Sequence, residues 1–390
     1  MPTVKLYDEM PYERNFRASV LGISDAGDGG CIVELDRTLF FPEEGGQSSD
    51  IGFLGGYEVT HAAIKNDLIL HYIKCGPSDL NVGDEIEGSI DWEYRFSNMQ
   101  NHTGEHILSG LLHSRWDSEN TGFHLSDNIV TLDTSRELDE NITDELEVAA
   151  NRVIYENIPV SCRYFQKNEL EGIEYRSKKE FDSDIRLVTI PGVDVCACCA
   201  PHVARTGEIG IITIIRTMRY KGGTRLTFLC GKRAYEYLLQ VKKTADNIAH
   251  MLSENTGNLT GAVERILNER DELEVKLKNA ARRRLYDDID RLSDDIKEAV
   301  LFTDKADNLV QRDAVNYLAE RHSGICAVFS SDDDGGYNYI CAYPEGDARS
   351  VSKLLRDKLT AKGGGSKEMV QGNVKASEEE IRQVLLKNTD

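Results

Sequence analysis

Apolar and polar positions alternate in short runs over residues 1 to about 90, then take on helical spacing. Ala18 to Ile23, Cys31 to Phe40, Leu68 to Ile73 and Glu85 to Ile90 read as strands of an all-β region. Turn-forming residues separate them, most clearly Asp25-Ala26-Gly27-Asp28-Gly29-Gly30. Residues 101–113, NHTGEHILSGLLH, set Ile107, Leu108, Leu111 and Leu112 on one helical face. A second helix is expected from Asp144 to Asn157, with Leu146, Ala149, Ala150 and Ile154 at helical spacing. Strands are expected at 185–190 and 209–215, where β-branched residues concentrate.

Residues 236–300 carry a long helical rhythm, broken near Asn255-Thr256-Gly257-Asn258. Val263, Ile266, Leu273, Leu277 and Ala280 keep one phase, and Leu285, Ile289, Leu292 and Ile296 resume it in another, as a stutter gives. Such a pattern suits a helical hairpin or an intermolecular coiled coil. Beyond residue 300 the pattern is that of a small α/β domain. Ile325 to Phe329 and Tyr339 to Ala342 are strand-like around the acidic turn Ser331 to Gly336, and Arg349 to Leu359 is a helix leading into a Gly363-Gly364-Gly365 loop. That loop lacks the spacing of a Walker-type phosphate loop, and no other ATP signature is found.

Forty per cent apolar and 29% charged residues describe a soluble globular chain with room for two to four domains. No run of 18 apolar residues and no signal peptide is seen, so the expected compartment is the cytoplasm. Nine cysteines, three of them crowded at 196–199, suit metal ligands or buried thiols better than a disulfide framework. A net charge of −21 argues against nucleic acid only as a total, because patches decide phosphate binding. Residues 216–235 hold Arg216, Arg219, Lys221, Arg225, Lys232 and Arg233 and no acid, and residues 349–372 also lean basic through Lys353, Arg356 and Lys362. A polyanion is the partner these two stretches imply.

The candidate chemistry lies in two short motifs. His102 and His106 are four residues apart, so one helix face can aim both rings at one point. About a hundred residues later Cys198 and His202 repeat that spacing in CACCAPH. Three imidazoles and one thiolate suit a zinc ion. Thr103 stands where the zincin protease motif would need its glutamate base, which counts against a peptidase.

Context adds a family. The stretch LDRTLFFPEEGGQ at 35–47, then HTGEH, then CCAPHVARTGEIG at 198–210, is similar to the editing domain of alanyl-tRNA synthetase. The glycine-rich stretch AKGGGSKEMVQG at 361–372 resembles the C-terminal domain of the same synthetase, which points to the long form of the free-standing AlaX proteins. Glu44 and Pro201 stand where the family usually has glycine and threonine.

The resemblance implies an α+β fold in four parts. These are a β-barrel-like domain at 1–91, a mixed α/β editing core at 92–237, a helical or coiled-coil arm at 238–300 and a small α/β domain at 301–390. It implies zinc on His102, His106, Cys198 and His202, and a catalytic set of Thr38, Gly45, Gly46 and Gln47, with Thr38 reading a serine hydroxyl. Cys196 and Cys199 are further thiols beside the ligand. Contacts to tRNA are expected from Arg216, Arg219, Lys221, Arg225, Lys362, Gly363, Gly364 and Gly365. The implied activity is deacylation of tRNA(Ala) mischarged with serine or glycine, by a homodimer joined through the arm or the C-terminal domain. The alternative is a tRNA-binding protein with a structural zinc.

Overall fold

The structure, a computed structural model, describes residues 2–386 except 28–29, 75–79, 128, 178–183 and 333–334. The centres of the two turns expected at 25–30 and 331–336 lie outside those residues. The chain divides into two compact units, Met1–Ala245 and Asp246–Asp390.

The first unit opens with Val4–Lys5 (β1), the single turn Leu6–Glu9 (α1), Asn15–Asp25 (β2), Cys31–Leu35 (β3), Arg37–Thr38 (β4), Gly52–Leu54 (β5), Tyr57–Lys65 (β6), Leu68–Ile73 (β7) and Glu85–Ile90 (β8). Six of these close on one another in the order β2-β3-β7-β6-β5-β8, every pair antiparallel. Alternation sends Cys31, Val33 and Leu35, and opposite them Ile69, His71 and Ile73, to the inside. The run expected as one strand from Cys31 to Phe40 breaks at Asp36, whose carboxylate accepts the Ser19 amide at 2.8 Å. β4 then pairs parallel with β1.

Trp92–Trp116 (α2) is longer than the sequence implies. Asp91 caps it, accepting the Tyr94 amide at 3.0 Å. It is buried on every side from Ser97 to Leu112, not on one apolar face. Gly104 and Gly110 make that possible: a Cβ at Gly104 would stand 2.3 Å from Cys230 Sγ, and one at Gly110 2.3 Å from the Val193 carbonyl. Around it run Asn120–Leu125 (β9), Val130–Thr134 (β10), Glu140–Glu156 (α3), Ser161–Phe165 (β11), Ile185–Ile190 (β12), Asp194–Ala197 (β13), Ile212–Tyr220 (β14) and Gly223–Cys230 (β15). They form one sheet in the order β14-β15-β10-β9 and another in the order β11-β12-β13. The strand expected at 209–215 begins only at Ile212, because Thr206–Ile209 is a 3-10 turn.

One buried ion pair holds the ring to α2. Arg95 and Asp50 are both fully buried, and Arg95 Nε lies 2.9 Å from each Asp50 oxygen. The guanidinium also donates to the Leu39 carbonyl at 2.5 Å and the Pro11 carbonyl at 3.1 Å, while Asp50 accepts the Phe41 amide at 2.6 Å. Both ends of the loop 39–50 are thereby fixed to one residue of the helix.

Helices Gly231–Met251 (α4) and Leu259–Asp290 (α5) flank a 3-10 turn at Thr256–Asn258, where the break was expected. The second unit contains Ala299–Thr303 (β16), Asn308–Arg321 (α6), Cys326–Ser331 (β17), Tyr337–Ala342 (β18), Ala348–Lys358 (α7), Thr360–Gly365 (β19), Met369–Lys375 (β20) and Glu378–Leu386 (α8). Its sheet runs β16-β17-β18-β20-β19. Leu285 and Ile289 of α5 pack with α6 in one core, and α7 and α8 contribute to the other.

The glycine run corrects an expectation. Gly363 to Gly365 is not a loop but part of the edge strand β19, paired with β20. A Cβ on Gly363 would lie 2.3 Å from the Tyr339 hydroxyl, and one on Gly365 2.4 Å from the Met369 carbonyl. Close approach, rather than turning, demands glycine at 363 and 365, while Gly364 faces open space.

Two stability predictions follow from the ring. Arg95→Met leaves Asp50 buried and unpaired, and is expected to cost about 3–5 kcal/mol. Urea unfolding followed by tryptophan fluorescence measures this in the first unit, since Trp92 and Trp116 are the chain's two tryptophans. A loss below about 1 kcal/mol, the worth of an ordinary hydrogen bond, would show that the pair is no clamp. Burial holds the His71 imidazole down to about 4, against a weaker opposing hydrogen bond to the Val33 carbonyl. Between about 6.5 and 4 the unfolded chain binds a proton that the folded chain refuses, so stability falls as pH falls through that window. His71→Gln should lose less stability across it than the parent.

Candidate metal centre and cavity

The buried helix α2 presents His102 and His106 one turn apart, with ring centroids separated by 5.5 Å. The segment after β13 brings Cys198 and His202 up to them. One ligand atom from each of the four lies within 4.8 Å of the others. Cys198 Sγ is 3.5 Å from His102 Nε2 and 3.4 Å from His202 Nε2. A zinc ion bound tetrahedrally at ordinary Zn–S and Zn–N lengths sets sulfur and nitrogen about 3.6 Å apart. The residues therefore fit that ion.

Each imidazole is aimed by a hydrogen bond at its other nitrogen, which leaves Nε2 toward the common point. His102 Nδ1 lies 2.7 Å from Gln47 Oε1, His106 Nδ1 2.8 Å from Asp194 Oδ2, and His202 Nδ1 3.0 Å from Thr103 Oγ1. Arg176 holds Asp194 in turn, with Nε at 2.8 Å and the second nitrogen at 2.9 Å. Burial pushes the Asp194 carboxyl up, and the bonds from His106 and Arg176 more than reverse this, so it sits below its ordinary value. Burial and then the neighbouring rings of His106 and His102 hold His202 neutral, the form that binds a metal. Burial, with Cys199 next in effect, pushes the Cys198 thiol well up, and a bound cation is what would draw off its proton.

His102, His106 and Cys198 face a cavity of about 1030 Å³, whose wall also includes Glu44, Gly45, Glu105, Asn120, Phe123 and Arg176. Gly45 and Gly46 both take positive φ, +65° and +85°. The Leu125 amide donates to the Gly46 carbonyl at 2.7 Å, which ties the glycine loop to β9. Phe123 stands behind the His102 ring at 4.8 Å. Gln47 is fully buried, and its Nε2 has no hydrogen-bond partner. Cys199 also lines the cavity, its thiol pushed up to about 12 by burial and the adjacent Glu44.

Thr38 is placed differently from the other expected residues. It is fully buried in the first unit, donating its hydroxyl to His71 Nε2 at 2.9 Å and accepting the Phe40 amide at 3.1 Å. Like Gly46 and Gln47, it is not among the residues of the cavity wall, whereas Gly45 is. Among the expected tRNA contacts, Arg216, Arg219 and Lys221 are exposed on the β14–β15 hairpin, where Lys221 and Gly222 share positive φ. Arg225 is committed: Asp133 takes two of its nitrogens at 2.6 and 2.7 Å, and Tyr220 lies under its guanidinium at 3.8 Å. Lys362 is exposed on β19 in the second unit. Sequence reasoning assigned no role to Asp194, Arg176, Arg186 or Asn120. Only Asp194, two residues before the cysteine cluster, lay close enough to a motif to be suspected.

Two family descriptions match the chain. Residues 185–227 match the threonyl and alanyl tRNA synthetase second additional domain, and residues 9–94 match the class II (A) tRNA synthetases. The alanyl-tRNA editing protein AlaX-L of Pyrococcus horikoshii is 28% identical, over 98% of this chain and 97% of that protein. Alanine–tRNA ligase of Pyrococcus abyssi is 30% identical over 96% of this chain, and that of Methanoregula boonei 30% over 95%. Those matches span only 42% and 41% of the two ligases. The C-Ala domain of the Aquifex aeolicus alanyl-tRNA synthetase matches 23% of this chain and 92% of that chain at 18% identity, with a TM-score of 0.20. The chain is therefore similar over nearly its whole length to the AlaX-L editing protein and to part of alanyl-tRNA synthetase, and its residues 185–227 match the second additional domain of the threonyl and alanyl enzymes.

Proposed function

We propose that this chain is an aminoacyl-tRNA deacylase that removes serine, and glycine as a second substrate, from mischarged tRNA(Ala). The observation that carries the reading is the four-residue metal centre opening on a cavity bordered by the glycine loop. The relatives named for alanyl-tRNA editing and ligation supply the substrate class.

A zinc ion on His102, His106, Cys198 and His202 would supply positive charge beside the ester. Four protein ligands fill a tetrahedral set, so we assign it to orienting the substrate. Gln47 then has a defined part. A His102 ring bound through Nε2 carries its proton on Nδ1, so Gln47 must offer Oε1 to it and keep Nε2 as a donor. That amide is the group we assign to the ester carbonyl, where negative charge grows during attack by water. Gly45 borders the same space, and Gly46 follows it in the loop. Arg216, Arg219 and Lys221 are the cations we assign to the acceptor-stem phosphates. Arg225 contributes by stacking Tyr220 rather than as a free charge. We assign Lys362 and the Gly363–Gly365 edge of the second unit to a further tRNA contact. The closed ligand set also favours a second reading, a tRNA-binding protein with a structural zinc.

The arm supports a dimer. Val263, Ile266, Leu273 and Leu277 of α5 are 43–68% exposed, an apolar row without cover within the chain. We assign it to a second copy, and light scattering on the purified protein is expected to give twice the chain mass.

Deacylation of purified seryl-tRNA(Ala) and alanyl-tRNA(Ala), with and without chelation, tests the main reading. Serine should be lost rapidly and only with metal, and alanine spared. Retention of both esters with tRNA still bound would favour the second reading. Gln47→Ala is expected to lower the rate by about 10²–10³. Thr38→Val, which also breaks the His71 bond, is read as the serine-to-alanine rate ratio. An unmoved ratio removes Thr38 from discrimination.

A further inference from the structure

One buried carboxylate in the cavity has no part in the chemistry so far. Glu105 precedes His106 on α2 and is only 4% exposed. Its Oε1 is saturated, accepting the Ser109 hydroxyl one turn on and Asn120 Nδ2 at 2.7 Å. Its Oε2 has no hydrogen bond among the described residues, and its basic neighbour is His106 Nε2 at 4.0 Å, the atom reserved for the metal. Arg176, the cation on the same wall, feels the Glu105 charge but gives two of its nitrogens to Asp194 and makes no hydrogen bond to Glu105.

Asn120 adds a second unfilled acceptor. Its Oδ1 is buried and has no partner. Flipping the amide would turn that oxygen onto the Glu105 carboxylate, so the orientation is fixed by charge. Two acceptors, one of them a carboxylate, thus stand without donors in a cavity wall. A buried acceptor left so, as Asn120 Oδ1 is, is costly unless a ligand fills it.

We propose that Glu105 and Asn120 form the seat for the free α-ammonium group of the aminoacyl ester. The seat rests on the deacylase reading and deepens it. An ammonium offers three donors and one positive charge, which matches two acceptors and a carboxylate that no arginine or lysine among the described residues hydrogen-bonds. The spacing agrees as well. In an aminoacyl ester the α-nitrogen lies about 2.5 Å from the carbonyl carbon, so an ester held beside the ligand nitrogens brings its amine to Oε2. The seat makes the enzyme selective for a free amino terminus: it accepts aminoacyl-tRNA and refuses tRNA carrying an N-blocked amino acid or a peptide.

The test uses the zinc-loaded protein and a non-hydrolysable probe, 3′-(L-serylamino)-3′-deoxyadenosine, against its N-acetyl form. Calorimetry should show the free amine bound on the order of thirtyfold tighter or more. Glu105→Gln should bring the two affinities together with zinc content unchanged, and seryl-tRNA(Ala) against N-acetyl-seryl-tRNA(Ala) should repeat the pattern in deacylation rates. Equal affinities in the parent protein overturn the seat while leaving the deacylase reading intact. So does a variant that loses both probes equally, the signature of a general disturbance of the cavity. If Glu105→Gln loses zinc or fails to fold, Asn120→Leu carries the same comparison with the same two outcomes. Binding of neither probe, with no deacylation of either ester, overturns the parent reading instead.

Discussion

The structure depends first on a charge that has nowhere else to go. Arg95 sits on α2 about two turns before His102, and Asp50 closes the loop that carries Gly45, Gly46 and Gln47. Neither charge reaches water, so each is stable only while the other is in place. The bonds from Arg95 to the Leu39 and Pro11 carbonyls extend this demand to three separate points of the ring. Gln47 can therefore meet His102 at 2.7 Å although the two residues belong to different layers. A rigid strut between layers does here what a continuous element does in simpler sites.

The metal centre is assembled on the same logic. Its ligands come from two segments, but their orientation comes from three more groups: Gln47 from the glycine loop, Asp194 from β13 and Thr103 from α2 itself. Arg176 and Arg186 support the second segment, the latter by donating to the Cys198 and Ala200 carbonyls at 2.9 and 2.8 Å. Around the centre the polar groups left unfilled divide by type. Gln47 holds a spare donor, and Glu105 with Asn120 holds spare acceptors.

What was legible in the sequence was local. The i, i+4 spacing of His102 with His106 and of Cys198 with His202 is written within a few residues, and the structure draws all four ligand atoms together. Strand periodicity found β7 and β8 to the residue. The acceptors that orient the rings were not legible, because Gln47 and Asp194 stand 55 and 88 residues from the histidines they bind. The full burial of α2 was hidden by its polar composition. Ser97, Asn98, Gln100 and Asn101 look like a solvated face, yet Asn101 accepts the Cys230 amide and Gln100 donates to the Glu208 carbonyl. Thr38 read correctly as a strand residue, but its direction depends on the ring closing, which only long-range pairing decides. At Gly363 the same residue type serves a bend or a tight contact, and only Tyr339 tells them apart.

The two glycines of α2 give the helix an unusual pattern of vulnerability. Gly104 lies between the two ligand histidines and rests against Cys230, and Gly110 sits one turn beyond His106 against the Val193 backbone. A side chain at either position has no void to enter. The helix would be levered away from its neighbours, and both imidazoles would move with it. Under random substitution these two positions, which have no side chain to offer an ion or a ligand, should be purged as strictly as the ligands themselves.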